Sequence, residues 1–312
     1  MLWRSAGIYR LPGRELITRH YTVCRGCQHY REGGDDLAPA CTACGRPADG
    51  PVREYCVPEF GFVADPRTSK PGTAPPQRFW NGAVHVVSLG AELAETRWST
   101  AGGAVAWCHS GTRGRLVSLS EGPGGAGFLI CDWCGWGGPN HGRAAKSHLN
   151  PLRGKPCTGP LRWRSLAHSY ETDILRVQFD APGLRAAGDS GAGERARWHS
   201  LLYALLAGSA EGLEISRGDI DGVVHAGADG RSGLVLFDTV PGGAGSAARI
   251  ASSLDVAVDF ALRRVSACDC GPETSCYGCL RTPRNERYHE DLSRGAALAT
   301  LESLSGLRTG DS

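Results

Sequence analysis

No apolar run in this chain approaches the roughly 18 residues that a membrane-spanning helix needs, which excludes that kind of anchor. Met1 to Arg14 lack the basic start, apolar core and small-residue cleavage site of a secretion signal, so a cytoplasmic location without membrane contact is expected. No GxxxxGK(S/T) loop occurs, because Gly154-Lys155 is followed by Pro156, so ATP hydrolysis by the chain alone is not expected. Lysine is scarce: Lys70, Lys146 and Lys155 are the lysines among 34 basic residues. Arginine suits phosphate and base recognition, but its excess is equally the mark of a GC-rich coding sequence, and a net charge of +2 points neither to a polyanion partner nor away from one.

Cysteine is abundant, with 13 in 312 residues. Their repeated CxxC pairing, in a chain expected to be reduced, points to thiolates on metal and not to disulfides. The densest group is Cys268, Cys270, Cys276 and Cys279, a CxC-x5-CxxC cluster. Two tight pairs on a short loop converge on one tetrahedral zinc at little closure cost. Cys24, Cys27, Cys41 and Cys44 have the CxxC-x13-CxxC spacing of a zinc ribbon, with Gly45 where a knuckle needs positive φ and Tyr21 to Val23 as the strand leading in. A third group, Cys131, Cys134 and Cys157, needs a fourth ligand. His148 is the best placed, with His141 and Cys108 as competitors. Two to three zinc ions per chain are therefore expected. Cys56 fits no cluster and reads as a small buried hydrophobe.

These groups divide the chain into an α+β arrangement of three modules: a zinc ribbon over 1–65, a β-rich middle domain with a zinc knuckle over 66–168, and an α+β zinc-binding domain over 169–312. Pro66, Pro71, Pro75 and Pro76 make residues 64–80 an extended connection. Short strands are expected over Ala83 to Leu89, Ala104 to Cys108, Arg115 to Leu119 and Phe128 to Ile130. Trp198 to Leu206 is apolar on nearly every face and reads as a buried helix, and Ile220 to Val224 with Leu234 to Val240 as a hairpin around a turn at Asp229 to Gly233. Ile250, Leu254, Val258, Leu262 and Val265 mark one helix of about 20 residues.

Asp238, Gly242, Gly243 and Gly245 form a structural loop opening that helix. Its free amides suit a phosphate, and its glycines equally suit a sharp turn. Residues 141–164 carry Arg143, Lys146, Arg153, Lys155, Arg162 and Arg164 with no acidic residue, and Trp163 among them. This strip is the expected DNA surface, weighed against a simply solvated basic segment. No catalytic constellation is recognised, since all-thiolate zinc sites are coordinatively closed. Asp219, Asp221, His225 and Asp238 leave a metal-dependent nuclease or hydrolase as the alternative, beside a pure interaction scaffold.

The run from Leu236 through Asp238, Pro241, Gly242, Gly243 and Gly245, followed by Cys268, Cys270, Cys276, Cys279 and Leu280, then His289 and Leu292 to Arg294, resembles the MrfA-like zinc-binding domain. That domain accompanies superfamily 2 DNA helicases and also occurs in DrmB, a component of the DISARM anti-phage system; the earlier CxxC groups also look like DrmB-type proteins. The resemblance implies zinc on the four late cysteines. It also implies a non-catalytic accessory protein that binds DNA or supports a separate helicase, in phage defence or DNA repair. The chain departs from those proteins in lacking the RecA-like helicase motifs.

Overall fold

The computed structural model describes residues 7–8, 17–25, 27–33, 40–47, 51–57, 63–64, 82–122, 125–139, 148–181, 184, 191–226 and 232–309. In chain order these form β1 (Gly7–Ile8), β2 (Ile17–Val23), β3 (Tyr30–Glu32), β4 (Arg53–Val57), β5 (Val63–Ala64), β6 (Ala83–Ser88), β7 (Ala91–Ser99), β8 (Val105–Ser120), β9 (Phe128–Cys131), β10 (Trp136–Pro139), β11 (His148–Leu149), β12 (Pro156–Cys157) and β13 (Leu161–Asp180). Then come α1 (Gly191–Gly212), β14 (Ile220–Ala226), β15 (Ser232–Asp238), α2 (Ser246–Ser252), α3 (Leu254–Ser266), a 3-10 turn (Pro283–Tyr288), α4 (Arg294–Leu304) and β16 (Arg308–Thr309). The architecture is mixed α+β and strand-rich. No helix among the described residues is long and apolar enough to cross a membrane.

The spine is an antiparallel ribbon of β8 and β13, paired from Val105↔Asp180 to Ser120↔Leu166, with one irregularity between Thr172 and Ile174. Ala104 to Cys108 and Arg115 to Leu119, expected as separate strands around a turn, are thus two stretches of one strand. The intervening glycines read as a turn in the sequence. Pairing with β13 instead carries the chain straight through, and Arg113 takes up the irregularity at φ 56°. β13 itself runs unbroken through residues 168 and 169, where the sequence suggests a module boundary. Strand β7, over Ala91–Ser99, is absent from the expected strands.

At one end of the ribbon, β4 joins β13 in parallel through Tyr55 and Cys56, and β2 and β3 extend that edge. Tyr21, Tyr30 and Tyr55 pack with Val117, Leu119 and Ala167. The phenols of Tyr30 and Tyr55 donate to Glu32, which also meets Arg19 at 3.0 Å and Arg115. Burial alone would raise the Glu32 pKa, but hydrogen bonds from Tyr55, Arg115 and Tyr30 outweigh it and hold the carboxylate ionised. Cys56 is fully buried against Phe128, Ile130 and Leu166, as expected.

At the other end, β15 pairs with β13 and β14 with β15. Helix α1 lies over this hairpin beneath α3 and α4, so it has no solvent face along Leu201 to Leu206 other than the edges of Tyr203. The expected turn at Asp229 to Gly233 falls largely outside the described residues, as do 65–81, which carry most of the proline-rich connection.

The single helix expected across Ile250 to Val265 is two, α2 and α3, broken at Ser253 with φ −143°. The break frees the Ala251 carbonyl, which accepts the Trp98 indole N–H at 3.3 Å, and drives Leu254 fully into the core.

Candidate metal centres and the surface they hold

The twelve expected ligands gather into three tetrads: Cys24, Cys27, Cys41 and Cys44; Cys131, Cys134, His148 and Cys157; and Cys268, Cys270, Cys276 and Cys279. In each, the ligand atoms lie within 4.8 Å of one another. Tetrahedral zinc with Zn–S near 2.3 Å sets ligand sulfurs about 3.8 Å apart. The first tetrad has Sγ separations of 3.7 and 3.7 Å, the middle one 3.9 Å, and the late one 3.4 to 3.8 Å. All three donor sets therefore fit zinc, with four protein ligands and no open position.

Knuckle geometry explains why these short motifs converge. In the first tetrad and at Cys131–Cys134 the chain turns back with an amide donating to the first cysteine's carbonyl: Gln28 to Cys24, Gly45 to Cys41 and Gly135 to Cys131. That donor residue takes a left-handed conformation each time, φ 60° at Gln28, 69° at Gly45 and 68° at Gly135. Gln28 does without the usual glycine, which the spacing does not reveal. Amides also aim at the sulfurs, from Trp133 and Cys134 to Cys131, Gly159 to Cys157, and Cys276 to Cys279. Burial works to raise the Cys41 pKa, but the amides of Cys44 and Ala43 outweigh it and bring it down to about 7. Cys276, beside the Cys268 thiol and the amides of Gly278 and Cys279, is also lowered to about 7. Each is the low member of its tetrad: burial and the neighbouring thiols push Cys27 and Cys270 up, so the thiols of one centre titrate as a set.

His148 completes the middle tetrad. It sits directly across from Cys157 in the β11–β12 pair, its Nε2 is 3.1 Å from the Cys134 sulfur, and its ring stacks on Trp136 at 5.0 Å. Its competitor Cys108 lies in the main core with its thiol pushed up to about 12 by burial, and His141 lies outside the described residues.

The glycine loop is a cap. Asp238, fully buried, accepts Ala244 N–H at 2.5 Å and Ser246 N–H at 3.1 Å on one oxygen and Ala247 N–H at 2.9 Å on the other. Asp173 takes the Gly245 amide at 3.2 Å. The amides that would otherwise meet a phosphate are thus occupied by carboxylates, and the turn reading holds. Gly242, Gly243 and Gly245 all have positive φ, and a Cβ on Gly243 would strike the Asp173 carboxyl at 2.2 Å.

Asp238 is equally unavailable as a catalytic carboxylate. Asp221 accepts the Gly222 amide, and His225 faces His29 at 6.0 Å. Asp219, Asp221, His225 and Asp238 do not form a ligand cluster; among the described residues the clusters are the three tetrads.

The basic strip divides. Arg143 and Lys146 lie outside the described residues. Arg153 and Lys155 are exposed on the loop between β11 and β12, and Trp163 is 52% exposed. Arg162 is 62% exposed and meets Asp132 at 2.7 Å. Arg164 is a correction to the expected surface: only 7% exposed, it is held by Asp132 at 2.7 Å and Glu54 at 3.1 Å. The strip lacks acids in sequence, but the fold supplies them from β4 and the knuckle.

Residues 201–280 match the family model of the MrfA Zn-binding domain, a segment running from α1 through the glycine loop to just beyond Cys279. The chain is similar to Druantia protein DruE of Escherichia coli (strain UMEA 4076-1), 26% identical over 213 residues. That match covers 59% of this chain and 11% of the relative, so the chain spans about a tenth of its length. Among solved structures it is similar to DUF1998 helicase MrfA bound to DNA, with 16% identity and a TM-score of 0.43 over 72% of this chain and 25% of that one. MrfA bound to DNA and AMPPNP gives 12% identity and a TM-score of 0.32 over 71% and 22%.

Proposed function

We propose that this chain is a non-catalytic, zinc-organised accessory unit that binds DNA or supports a separate superfamily 2 helicase, in anti-phage defence or DNA repair. The observation that carries this reading is the MrfA Zn-binding domain match over 201–280, which includes all four late ligands in a coordinatively closed set. Similarity to a Druantia protein favours phage defence over repair, and it takes the place of the DrmB and DISARM likeness as support for that setting. Metal serves here to hold shape, and contact with nucleic acid falls to the exposed cations around the middle tetrad.

The test is DNA binding by the zinc-loaded chain over a range of salt. Arg153→Ala with Lys155→Ala should weaken binding on the order of tenfold and flatten the salt dependence by about 0.9 in log–log slope for each phosphate no longer neutralised. Unchanged affinity and slope would remove this surface from consideration.

A further inference from the structure

Four of the nine exposed large hydrophobic residues among those described fall within one short stretch around the middle tetrad: Trp133 at 67%, Leu149 at 47%, Leu152 at 54% and Trp163 at 52%. Surface leucines occur singly without consequence, but two half-exposed indoles beside one metal centre need a reason.

The indoles are held in a fixed relation. Asp132, next to Trp133, accepts 2.7 Å bonds from both Arg162 and Arg164, the residues on either side of Trp163. Trp133 lies in the chain between the tetrad ligands Cys131 and Cys134, and its amide donates to the Cys131 sulfur at 3.4 Å. Trp163 pairs across with Leu129 and Leu161 with Cys131, so these four side chains project to one side of the β9–β13 pair. Trp133 stands over Gly159, where an added Cβ would come within 2.9 Å of the indole base and 2.7 Å of the Cys131 sulfur. From Gly159 to Trp163 the backbone reaches at most about 13 Å, which bounds how far apart the chain positions beneath the two indoles lie.

The charge of this patch is positive. Arg153 and Lys155 stand exposed on a loop tied to the tetrad at both ends by His148 and Cys157, with Asn150 accepting the Leu152 and Arg153 amides at 3.0 Å. The neighbouring carboxylate, Asp132, is already engaged by two arginines. Exposed indoles beside exposed cations fit a polyanion whose bases are free to stack, and a duplex keeps its base faces covered.

We infer that the middle tetrad presents Trp133 and Trp163 as a two-point stacking platform for single-stranded nucleic acid, with Arg153 and Lys155 following its backbone. This deepens the proposed function and rests on its reading that the chain contacts DNA.

The test uses the full zinc-loaded chain with a labelled oligothymidylate and a matched duplex. Trp133→Ala and Trp163→Ala should each weaken single-strand binding on the order of tenfold, leave duplex binding within about twofold, and remove the quenching of tryptophan fluorescence by the oligomer. Trp133→Phe and Trp163→Phe should keep most of the affinity, which a purely structural role would not predict, and zinc content reports whether each variant is folded. Should Trp133→Ala lose zinc, Trp163→Ala and the phenylalanine variants decide. Unchanged single-strand affinity in those variants, with weakening in Arg153→Ala and Lys155→Ala, would overturn the platform and leave DNA contact standing. Equal losses on single strand and duplex would overturn the single-strand assignment. Absence of any binding by the unaltered chain would overturn both.

Discussion

The late tetrad and the middle tetrad use nearly the same donors to different ends. Cys270 and Cys279 are nine residues apart, and all four late cysteines pack against the main core, Cys279 as one of its buried members. Cys131 and Cys157 are 26 residues apart, and around them stand the exposed Trp133, Leu149, Leu152 and Trp163. One centre ends a core helix and ties α3 to α4: Arg294 donates to the carbonyls of Cys270 and Val265, and Arg264 to that of Cys279. The other, whose ligands are buried beside the small cluster of Cys56, Phe128, Ile130 and Leu166, lies apart from the main core and holds an exposed loop. The late metal is an anchor for the main core; the middle metal, seated on a smaller cluster, is also the scaffold of an exposed loop.

The sharpest way to break this contrast is to remove one ligand from each centre. Cys279→Ser should lower zinc from about three ions per chain to about two. It should also cost several of the roughly 10 to 16 kcal/mol that a structural zinc contributes to folding, seen as loss of the cooperative unfolding of the helical half.

Acid should separate the two halves next. His199 stacks on Tyr288 with ring centroids 4.1 Å apart, and burial, with help from Arg195 and Arg287 against Asp291, pushes its pKa down to about 4. As pH falls from about 6.5 toward about 4, the unfolded chain takes up this proton and the folded chain does not. Stability therefore declines, by up to about 3 kcal/mol. Urea unfolding at about pH 7 and about pH 4.5 should show the decline, and His199→Phe should flatten it; equal slopes in both proteins would remove His199 as the cause.

The smallest expected effect is the global cost of His148→Ala. Zinc should again fall by about one ion. The helical half, sharing no partners with this site, should unfold within about 0.5 kcal/mol of the unaltered protein. A destabilisation matching that of Cys279→Ser would erase the distinction between anchor and scaffold.

The zinc ligands are legible in the sequence because their information is local: pairs of cysteines two or three residues apart converge whatever surrounds them. His148 stays open there against His141 and Cys108, because its selection depends on the bridge to Cys157, a pairing that spacing does not encode. The burial of Arg164 is out of reach for the same reason, its partners lying at Glu54 and Asp132. The same distance hides the break between α2 and α3, where the carbonyl is taken by an indole 153 residues earlier. The continuity of β8 is masked by Gly111 and Gly114, which read as a turn until β13 is there to pair with them. The glycine loop is legible as a turn, but its amides find their acceptors in Asp238 and Asp173, and the second of these lies 72 residues away on β13.

The β8–β13 ribbon bears on how this protein can be divided. A fragment beginning at residue 169 would part the stretch Ser169 to Asp180 from its partners Val117 to Val105 on β8, while Leu166, Ala167 and His168 stayed behind with Ser120, Leu119 and Ser118. It would leave Val105 to Val117 of β8 in one piece, and the facing edge of β13 in the other, as open ladder ready to pair with any passing chain. Excision at that point yields not two modules but two torn sheets, so the portion carrying the late cysteines can be isolated cleanly only by keeping the whole length of β13 and the strand it is zipped to.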